Sequence, residues 1–99
     1  MEARKIIITG GATRIGAAIA KKLSGPGKEI IIHYNKSKLK AENLKSDLQK
    51  EGSIVYLVKG DLSKEIDVNK VVKFAKSKLK FFDCLINNAS LFENDKLQN

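Results

Sequence analysis

The sequence predicts an open α/β fold built on a parallel sheet with helices on both of its faces. Four short apolar runs alternate with three segments whose apolar residues recur at helical spacing, which gives the order β-α-β-α-β-α-β. The apolar runs do not alternate with polar residues, as expected of strands that are covered on both faces. Right-handed crossovers then predict a doubly wound sheet with the strand order 3-2-1-4. The first two helices would cover one face and the third helix the other.

Runs rich in isoleucine and other β-branched residues predict the four strands. The first strand is predicted at residues 4–9 and the second at 29–34, and each contains three consecutive isoleucines. The third is predicted at 53–59 and the fourth at 82–87. Cys84, the single cysteine, lies in the fourth run and cannot form an internal disulfide. We interpret it as a buried strand thiol, because free cysteine packs as a small hydrophobic residue.

The three helical segments are predicted to begin at about residues 15, 37 and 64. Gly25 and Pro26 end the first, since proline cannot continue a helix. Ser63 is predicted to be the N-cap of the third, with Glu65 favourable in its first turn. The predicted buried faces are Ile15, Ala18, Ile19, Ala20 and Leu23 on the first helix, Ala41, Leu44 and Leu48 on the second, and Val68, Val71, Val72, Ala75 and Leu79 on the third.

The composition fits one small globular domain. The chain has 99 residues, 42% of them hydrophobic and 30% charged, which is enough for one domain and too few for two. The longest apolar runs are only a few residues, too short for a membrane-spanning helix or a signal-peptide core. We therefore expect a cytoplasmic protein.

The formal net charge of +8 raises the question of nucleic-acid binding. All of the basic residues except Arg4 and Arg14 are lysines, and they are spread over several segments without interleaved aromatic residues for base stacking. Solvated helix faces explain most of them. Nucleic acid is therefore not the expected partner, and a non-catalytic basic module, binding or structural and able to contact nucleic acid, stands as the alternative function.

The stretch TGGATRIG, residues 9–16, joins the first strand to the first helix. Gly10 can adopt a positive φ in a sharp turn, and Gly16 allows close approach of the helix to a ligand or to the sheet. The free N–H groups at the start of such a helix favour a diphosphate. A mononucleotide P-loop is excluded, because Ala17 and Ala18 stand where its lysine and hydroxyl residue would follow the last glycine.

The end of the second strand indicates which dinucleotide is preferred. Folds that prefer NAD place an acidic residue there to bind the ribose hydroxyls. This chain has Asn35, followed by Lys36 and Ser37, and Arg14 lies in the glycine turn. Two cations and no carboxylate suit the additional 2′-phosphate of NADP. The alternative is that Lys36 and Arg14 are ordinary surface residues.

These motifs together resemble the short-chain dehydrogenases/reductases. They are Thr9-Gly10 with Arg14-Ile15-Gly16, then Gly60-Asp61-Leu62, then Asn87-Asn88-Ala89, each after a predicted strand. Arg14 replaces the middle glycine of the usual T-G-x-x-x-G-x-G pattern. The chain is similar to the pteridine-reductase branch in three places: this replacement, residues 33–37 (HYNKS) and residues 87–92 (NNASLF). The resemblance covers residues 5–92.

The resemblance implies a role for each matching residue. The diphosphate would be surrounded by Gly10, Arg14, Ile15 and Gly16, and the 2′-phosphate would be met by Asn35, Lys36 and Ser37. The adenine would be contacted by Asp61 and Leu62, and the adenosine ribose side of the cleft by Asn88 and Ala89. Ser90 would lie beside the nicotinamide, and Phe92 would stack on a pterin-like ring. Alternatively, Asp61 starts a helix turn, Asn87 and Asn88 cap a strand end, and Phe92 packs within its loop. His33 is interpreted as a strand residue with a satisfied ring and no further role.

The resemblance also implies a catalytic serine and a Tyr-x-x-x-Lys pair on a helix. Tyr34 and Lys38 match the spacing, but Tyr34 lies in a predicted strand, and Tyr56 is followed at that spacing by Gly60. We therefore predict no catalytic residue in this sequence, no metal site, and no turnover by the isolated chain.

The predicted sheet is truncated relative to that family, whose members the resemblance implies to be longer and to have more strands. Residues 1–99 would form an incomplete NAD(P)-binding Rossmann domain, with the fourth strand as an unprotected edge. We expect either the remnant of a split gene or one piece completed by a second chain or by a homo-oligomer. No membrane partner is expected.

Overall fold

A computed structural model describes residues 4–87 and contains all seven predicted elements. Their bounds are β1 (Lys5–Thr9), α1 (Arg14–Leu23), β2 (Glu29–Tyr34), α2 (Lys38–Lys50), β3 (Ile54–Lys59), α3 (Glu65–Lys78) and β4 (Cys84–Asn87). The helices have 10, 13 and 14 residues. Within the described range, none of them is long and apolar enough to cross a membrane.

The four strands form one parallel sheet in the order β3-β2-β1-β4, which confirms the predicted topology. The central pair is in register with Ile7 opposite Ile31, and Ile7 also lies opposite Leu85 of β4. The chain therefore proceeds from β1 to β3 in one direction across the sheet. It then crosses back through α3 to add β4 on the other side of β1.

The consecutive isoleucines of β1 and β2 supply both faces of the sheet, because successive side chains on a strand point to opposite sides. On one face, Ile6, Ile8, Ile30 and Ile32 pack with Ala20 of α1 and with Leu44 and Leu48 of α2. On the other face, Ile7, Ile31 and Val58 pack with Val71, Ala75 and Leu79 of α3. The prediction that two helices cover one face and the third covers the other is confirmed.

The predicted apolar faces of α1 and α3 are broader than the faces that are buried. Ile15 is 65% exposed at the start of α1, and Val68 and Val72 of α3 are 36% and 45% exposed. Leu85 of β4 is 52% exposed on the same side of the sheet as Val72. Among residues 4–87, the sheet face between α3 and β4 therefore carries exposed apolar side chains. The expectation of a buried Cys84 is wrong: the residue is half-buried, because within residues 4–87 β4 pairs with β1 alone.

The predicted N-cap of α3 is wrong. The helix begins at Glu65 with Lys64 as its N-cap residue, and no side chain makes a capping hydrogen bond. The Ser63 hydroxyl instead donates to the Asp61 carboxylate at 2.6 Å. Serine side chains in turns often bond to neighbouring groups, and here the bond to Asp61 forms in place of the helix cap.

Candidate functional site

All four strands run in the same direction, so their carboxyl ends lie along one edge of the sheet. The turn that begins at Gly10 follows β1, the turn at Asn35 follows β2, and the turn at Gly60 follows β3. Asn87 ends β4 at the same edge. In open parallel sheets, ligands bind outside the carboxyl ends, beside the point where the strand order reverses. Here that point lies between β1 and β4.

Thr13 contacts the glycine turn and also starts α1. Gly10 has φ 64°, as the sequence predicts. The Thr13 hydroxyl donates to the Gly10 carbonyl at 2.8 Å and accepts from the Gly16 amide at 3.1 Å. Thr13 is the N-cap residue of the helix. Thr13 is absent from the predicted site residues, although a threonine directly before the first helical residue is a recognisable capping signal.

The amides of Arg14 and Ile15 lie between this cap and the body of the helix. In the described part of the chain, neither of them donates to a protein acceptor. This follows from helix geometry, because the first N–H groups of a helix have no intrahelical partner. Both residues are exposed. The helix start therefore offers two adjacent N–H donors and the positive end of the helix dipole to solvent at the carboxyl edge.

Two glycines let α1 and the sheet approach this turn closely. A Cβ at Gly16 would lie 2.7 Å from the Cα of Gly11 and would also collide with the Gly10 carbonyl. A Cβ at Gly11 would lie 2.9 Å from Cγ2 of Ile32. Gly16 thus brings the helix start against the turn itself, and Gly11 seats the turn on β2. The sequence analysis assigned a role to Gly16 and none to Gly11.

The turn after β2 presents Asn35, Lys36 and Ser37, and all three are exposed. Ser37 is the N-cap residue of α2, but its side chain makes no capping hydrogen bond. The Lys36 carbonyl accepts from the Lys38 amide at 3.0 Å, which tightens the turn. Neither Asn35 nor its two successors carries a carboxylate, so the edge is positively charged here.

The turn after β3 is organised by two carboxylates. The Asp61 amide donates to Oδ2 of Asp67 at 2.8 Å, and Oδ1 of Asp61 accepts from the Ser63 hydroxyl and from the Ser63 amide at 3.0 Å. The Ser63 hydrogen bonds lower the pKa of Asp61, and the charges of Lys64 and Lys36 lower it further. The turns after β2 and β3 are neighbours, because Tyr34 lies opposite Lys59 at the ends of the two strands. Leu62 packs against the core beneath α3.

His33, near the end of β2, connects the two turns that flank it. Its side chain is only 2% exposed, the Gly10 amide donates to its Nδ1 at 3.0 Å, and its Nε2 lies 2.7 Å from the Gly60 carbonyl oxygen. The expectation of a satisfied ring in a strand is confirmed. The link between the two turns was missed, although one polar residue within a run of buried isoleucines is itself a signal.

The end of β4 is joined to β1 by side chains. The Thr9 hydroxyl lies 2.9 Å from Oδ1 of Asn87 and 3.3 Å from the Ile86 carbonyl oxygen. The predicted roles of Asn88, Ala89, Ser90 and Phe92 lie outside the described residues.

The spacing match between Tyr34 and Lys38 does not form a catalytic pair. Tyr34 is buried in β2, with 9% of its surface exposed, whereas Lys38 is the exposed first residue of α2. The two residues belong to different elements, as the sequence analysis predicts.

Comparison with protein families gives a match to the short chain dehydrogenase family over residues 4–99. The chain is 34% identical over 92 residues to the short-chain dehydrogenase/reductase FrzI of a Cladobotryum species, covering 93% of this chain and 36% of FrzI. It is also 32% identical over 85 residues to the short-chain dehydrogenase/reductase homolog YusS of Bacillus subtilis, covering 86% of this chain and 78% of YusS. YusS is therefore itself a chain of similar length.

Solved structures share this fold. A dehydrogenase from Burkholderia cenocepacia with bound NADP has a TM-score of 0.78 and 29% identity, covering 87% of this chain and 34% of that one. FolM alternative dihydrofolate reductase 1 from Brucella canis, complexed with NADP, has a TM-score of 0.64 and 33% identity, covering 75% and 30%. The matched part of this chain thus spans about a third of the length of these neighbours.

Proposed function

The chain belongs to the short-chain dehydrogenase family, and we propose that it is the N-terminal, dinucleotide-binding portion of an NADP-dependent oxidoreductase. The observation that carries this proposal is the junction between β1 and α1. There, at the carboxyl edge of the sheet, the capped helix start presents the amides of Arg14 and Ile15, which donate to no acceptor among residues 4–87.

The residues at this junction fit a diphosphate. Two adjacent N–H donors and the helix dipole attract negative charge. The close packing of the helix start on the turn depends on Gly16, because a Cβ there would collide with the backbone of the turn. Arg14 adds a full positive charge at an exposed position. A bound nicotinamide dinucleotide would supply the hydride for reduction, and this chain's residues would hold and orient it.

The turn after β2 supports NADP over NAD. Lys36 and Arg14 are exposed cations, Asn35 stands where an NAD-preferring fold has its acid, and the Ser37 hydroxyl is not used as a helix cap. The 2′-phosphate would be bound by these groups. The two neighbours whose structures contain NADP are consistent with this choice.

The remaining assignments complete the same cofactor. Asp61 and Leu62 would contact the adenine from the turn after β3. Asn88 and Ala89 would lie on the ribose side of the cleft, and Ser90 beside the nicotinamide. Phe92 would stack on a flat substrate ring of the pterin type, with carbonyl compounds as the broader substrate class. The similarity to a dihydrofolate reductase supports this substrate class. The site would operate in the cytoplasm.

Catalysis would require structure beyond the four strands. A groove of about 500 Å³ lies between α3 and β4, lined by apolar residues that include Val68, Val72, Phe82 and Leu85. A chain that continued past β4 in the same direction would cross on the face of α3, because crossovers are right-handed. We propose that such a helix, carrying the proton donor, covers this groove. A second chain could supply it.

Titration calorimetry with NADP⁺ and NAD⁺ tests the cofactor assignment. We expect NADP⁺ to bind more tightly than NAD⁺, and Arg14→Ala to weaken NADP⁺ binding about tenfold while affecting NAD⁺ less, since a charge-assisted phosphate contact is lost. Lys22→Ala, which removes one charge from the other end of α1, is the control and should change neither affinity. Equal affinities for the two dinucleotides would contradict the assignment.

A further inference from the structure

The hydrogen bonds of His33 define a single arrangement of its ring. The Gly10 backbone nitrogen can only donate, so Nδ1 must present a lone pair to it. The Gly60 carbonyl can only accept, so Nε2 must carry the hydrogen. Both bonds can therefore form only with the neutral Nε2–H tautomer. Burial of the ring lowers the pKa of His33, and the Gly60 carbonyl opposes this effect in part.

His33 also binds the glycine turn through its backbone. Its carbonyl oxygen accepts from the Gly11 amide at 2.9 Å. The amides of Gly10 and Gly11 are thus both directed to one residue of β2, and they face away from the helix start. Among residues 4–87, the helix-start donors available to a ligand include those of Arg14 and Ile15.

The ring connects two segments that carry different parts of the candidate site. Gly10 begins the turn that leads to the helix start, and Gly60 immediately precedes Asp61. A glycine at φ 64° has other conformations open to it, so a fixed partner is needed to select this one. We propose, on the basis of the proposed function, that His33 is the positioning residue of the dinucleotide site. It fixes the glycine turn in the conformation that leaves the helix-start amides available, and it sets the distance to the adenine-side turn.

Two substitutions separate the two halves of this bridge. The amide oxygen of asparagine stands the same number of bonds from Cα as Nδ1 of histidine, so His33→Asn retains an acceptor for Gly10. The amide nitrogen of glutamine stands the same number of bonds from Cα as Nε2, so His33→Gln retains a donor for Gly60, whereas its acceptor oxygen stands one bond farther from Cα than Nδ1. Glutamine withdraws the ring acceptor from the half-buried Gly10 amide, which corresponds to a change of about tenfold in an equilibrium constant.

The experiment uses the full 99-residue chain and two readouts. Amide hydrogen exchange at Gly10, measured without cofactor, reports the turn itself. We expect protection in the wild type and in His33→Asn, and at least about tenfold faster exchange in His33→Gln. Calorimetry with NADP⁺ should follow the same order, with His33→Asn close to the wild type and His33→Gln about tenfold weaker. If His33→Asn keeps the Gly10 protection and the NADP⁺ affinity whereas His33→Gln loses both, His33 positions the turn and does not merely fill space.

The outcomes separate this proposal from the proposed function. Equal Gly10 exchange in the two variants, or NADP⁺ affinity that is unchanged in His33→Gln, would overturn the positioning role. If the wild type does not bind NADP⁺ at all, the proposed function fails. The order of Gly10 exchange in the three proteins then still decides whether His33 fixes the turn.

Discussion

The Thr13 hydroxyl oxygen lies 3.1 Å from the Gly16 amide nitrogen and caps the first turn of α1. The same hydroxyl donates to the Gly10 carbonyl at 2.8 Å. One short side chain therefore joins the helix to the turn that precedes it, and it satisfies the third amide of the helix. The first two amides, those of Arg14 and Ile15, are left to the solvent side.

Removal of this hydroxyl should destabilise the chain. Thr13→Val keeps the shape of the side chain but loses both hydrogen bonds, and we expect the free energy of unfolding to fall by about 1–2 kcal/mol. Ser37→Ala at the start of α2 is the matched control, because that N-cap side chain makes no capping bond. Urea denaturation measures both. A similar loss in the two variants would show that the Thr13 bonds contribute nothing specific.

Gly16→Ala should lower the free energy of unfolding, whereas the same substitution in an ordinary helix raises it. Glycine to alanine inside a helix usually stabilises it by about 1 kcal/mol. At Gly16 the new Cβ would meet backbone atoms of Gly10 and Gly11, which cannot move aside like a flexible side chain. We therefore expect Gly16→Ala to lower the free energy of unfolding by at least about 1 kcal/mol. An increase in thermal denaturation temperature would refute the close approach of α1 to the turn.

The stability of the chain should depend on pH near neutrality through His33, its only histidine. Burial, the larger cause, lowers the pKa of His33 below 6.5, and no charged side chain of residues 4–87 contributes to the shift. The unfolded chain then binds more protons than the folded chain as the pH falls below 6.5. The free energy of unfolding should be highest above that pH and should decrease toward about pH 5.

Urea denaturation across this pH range measures the effect, and His33→Asn is its control because asparagine does not titrate. We expect the slope between about pH 7.5 and pH 5.5 to disappear in this variant. A wild-type stability that rises on acidification would mean that the buried ring prefers its cationic form.

The uncovered face between α3 and β4 should promote self-association of the isolated chain. Leu85 and Phe82 are 52% and 47% exposed, and within residues 4–87 the strand that carries Leu85 is an edge of the sheet. We expect sedimentation velocity to show association that increases with protein concentration and that Leu85→Lys weakens. Leu39→Lys on α2 is the control, since Leu39 is 71% exposed but lies away from this face. The same effect from both lysines would indicate a general charge effect.

The sheet could be predicted from the sequence because its isoleucine runs admit few alternatives. A strand of consecutive isoleucines must be covered on both faces, and right-handed crossovers then fix the order of the strands. The helix faces were less predictable. Val72 has the spacing of a core residue, yet it is 45% exposed because the element that would cover it is not among residues 4–87.

Site residues that the backbone geometry requires could be predicted from the sequence. Residues whose side chains have several possible hydrogen-bond partners could not. Gly10 and Gly16 follow from the need for a sharp turn and a close helix. Ser63 was assigned as a cap on local pattern alone, whereas its hydroxyl binds Asp61. His33 is linked to Gly10, 23 positions earlier in the chain, and to Gly60, 27 positions later. Only the pairing of β2 with its two neighbours reveals this link.

The most direct test of the central claim is a nuclear magnetic resonance titration of the ¹⁵N-labelled chain with NADP⁺. If the start of α1 receives the diphosphate, the amide signals of Arg14 and Ile15 should shift in a saturable manner, while that of Lys22 at the other end of the helix should not. Unchanged Arg14 and Ile15 signals at saturating NADP⁺, with the largest changes along α3 instead, would contradict the account.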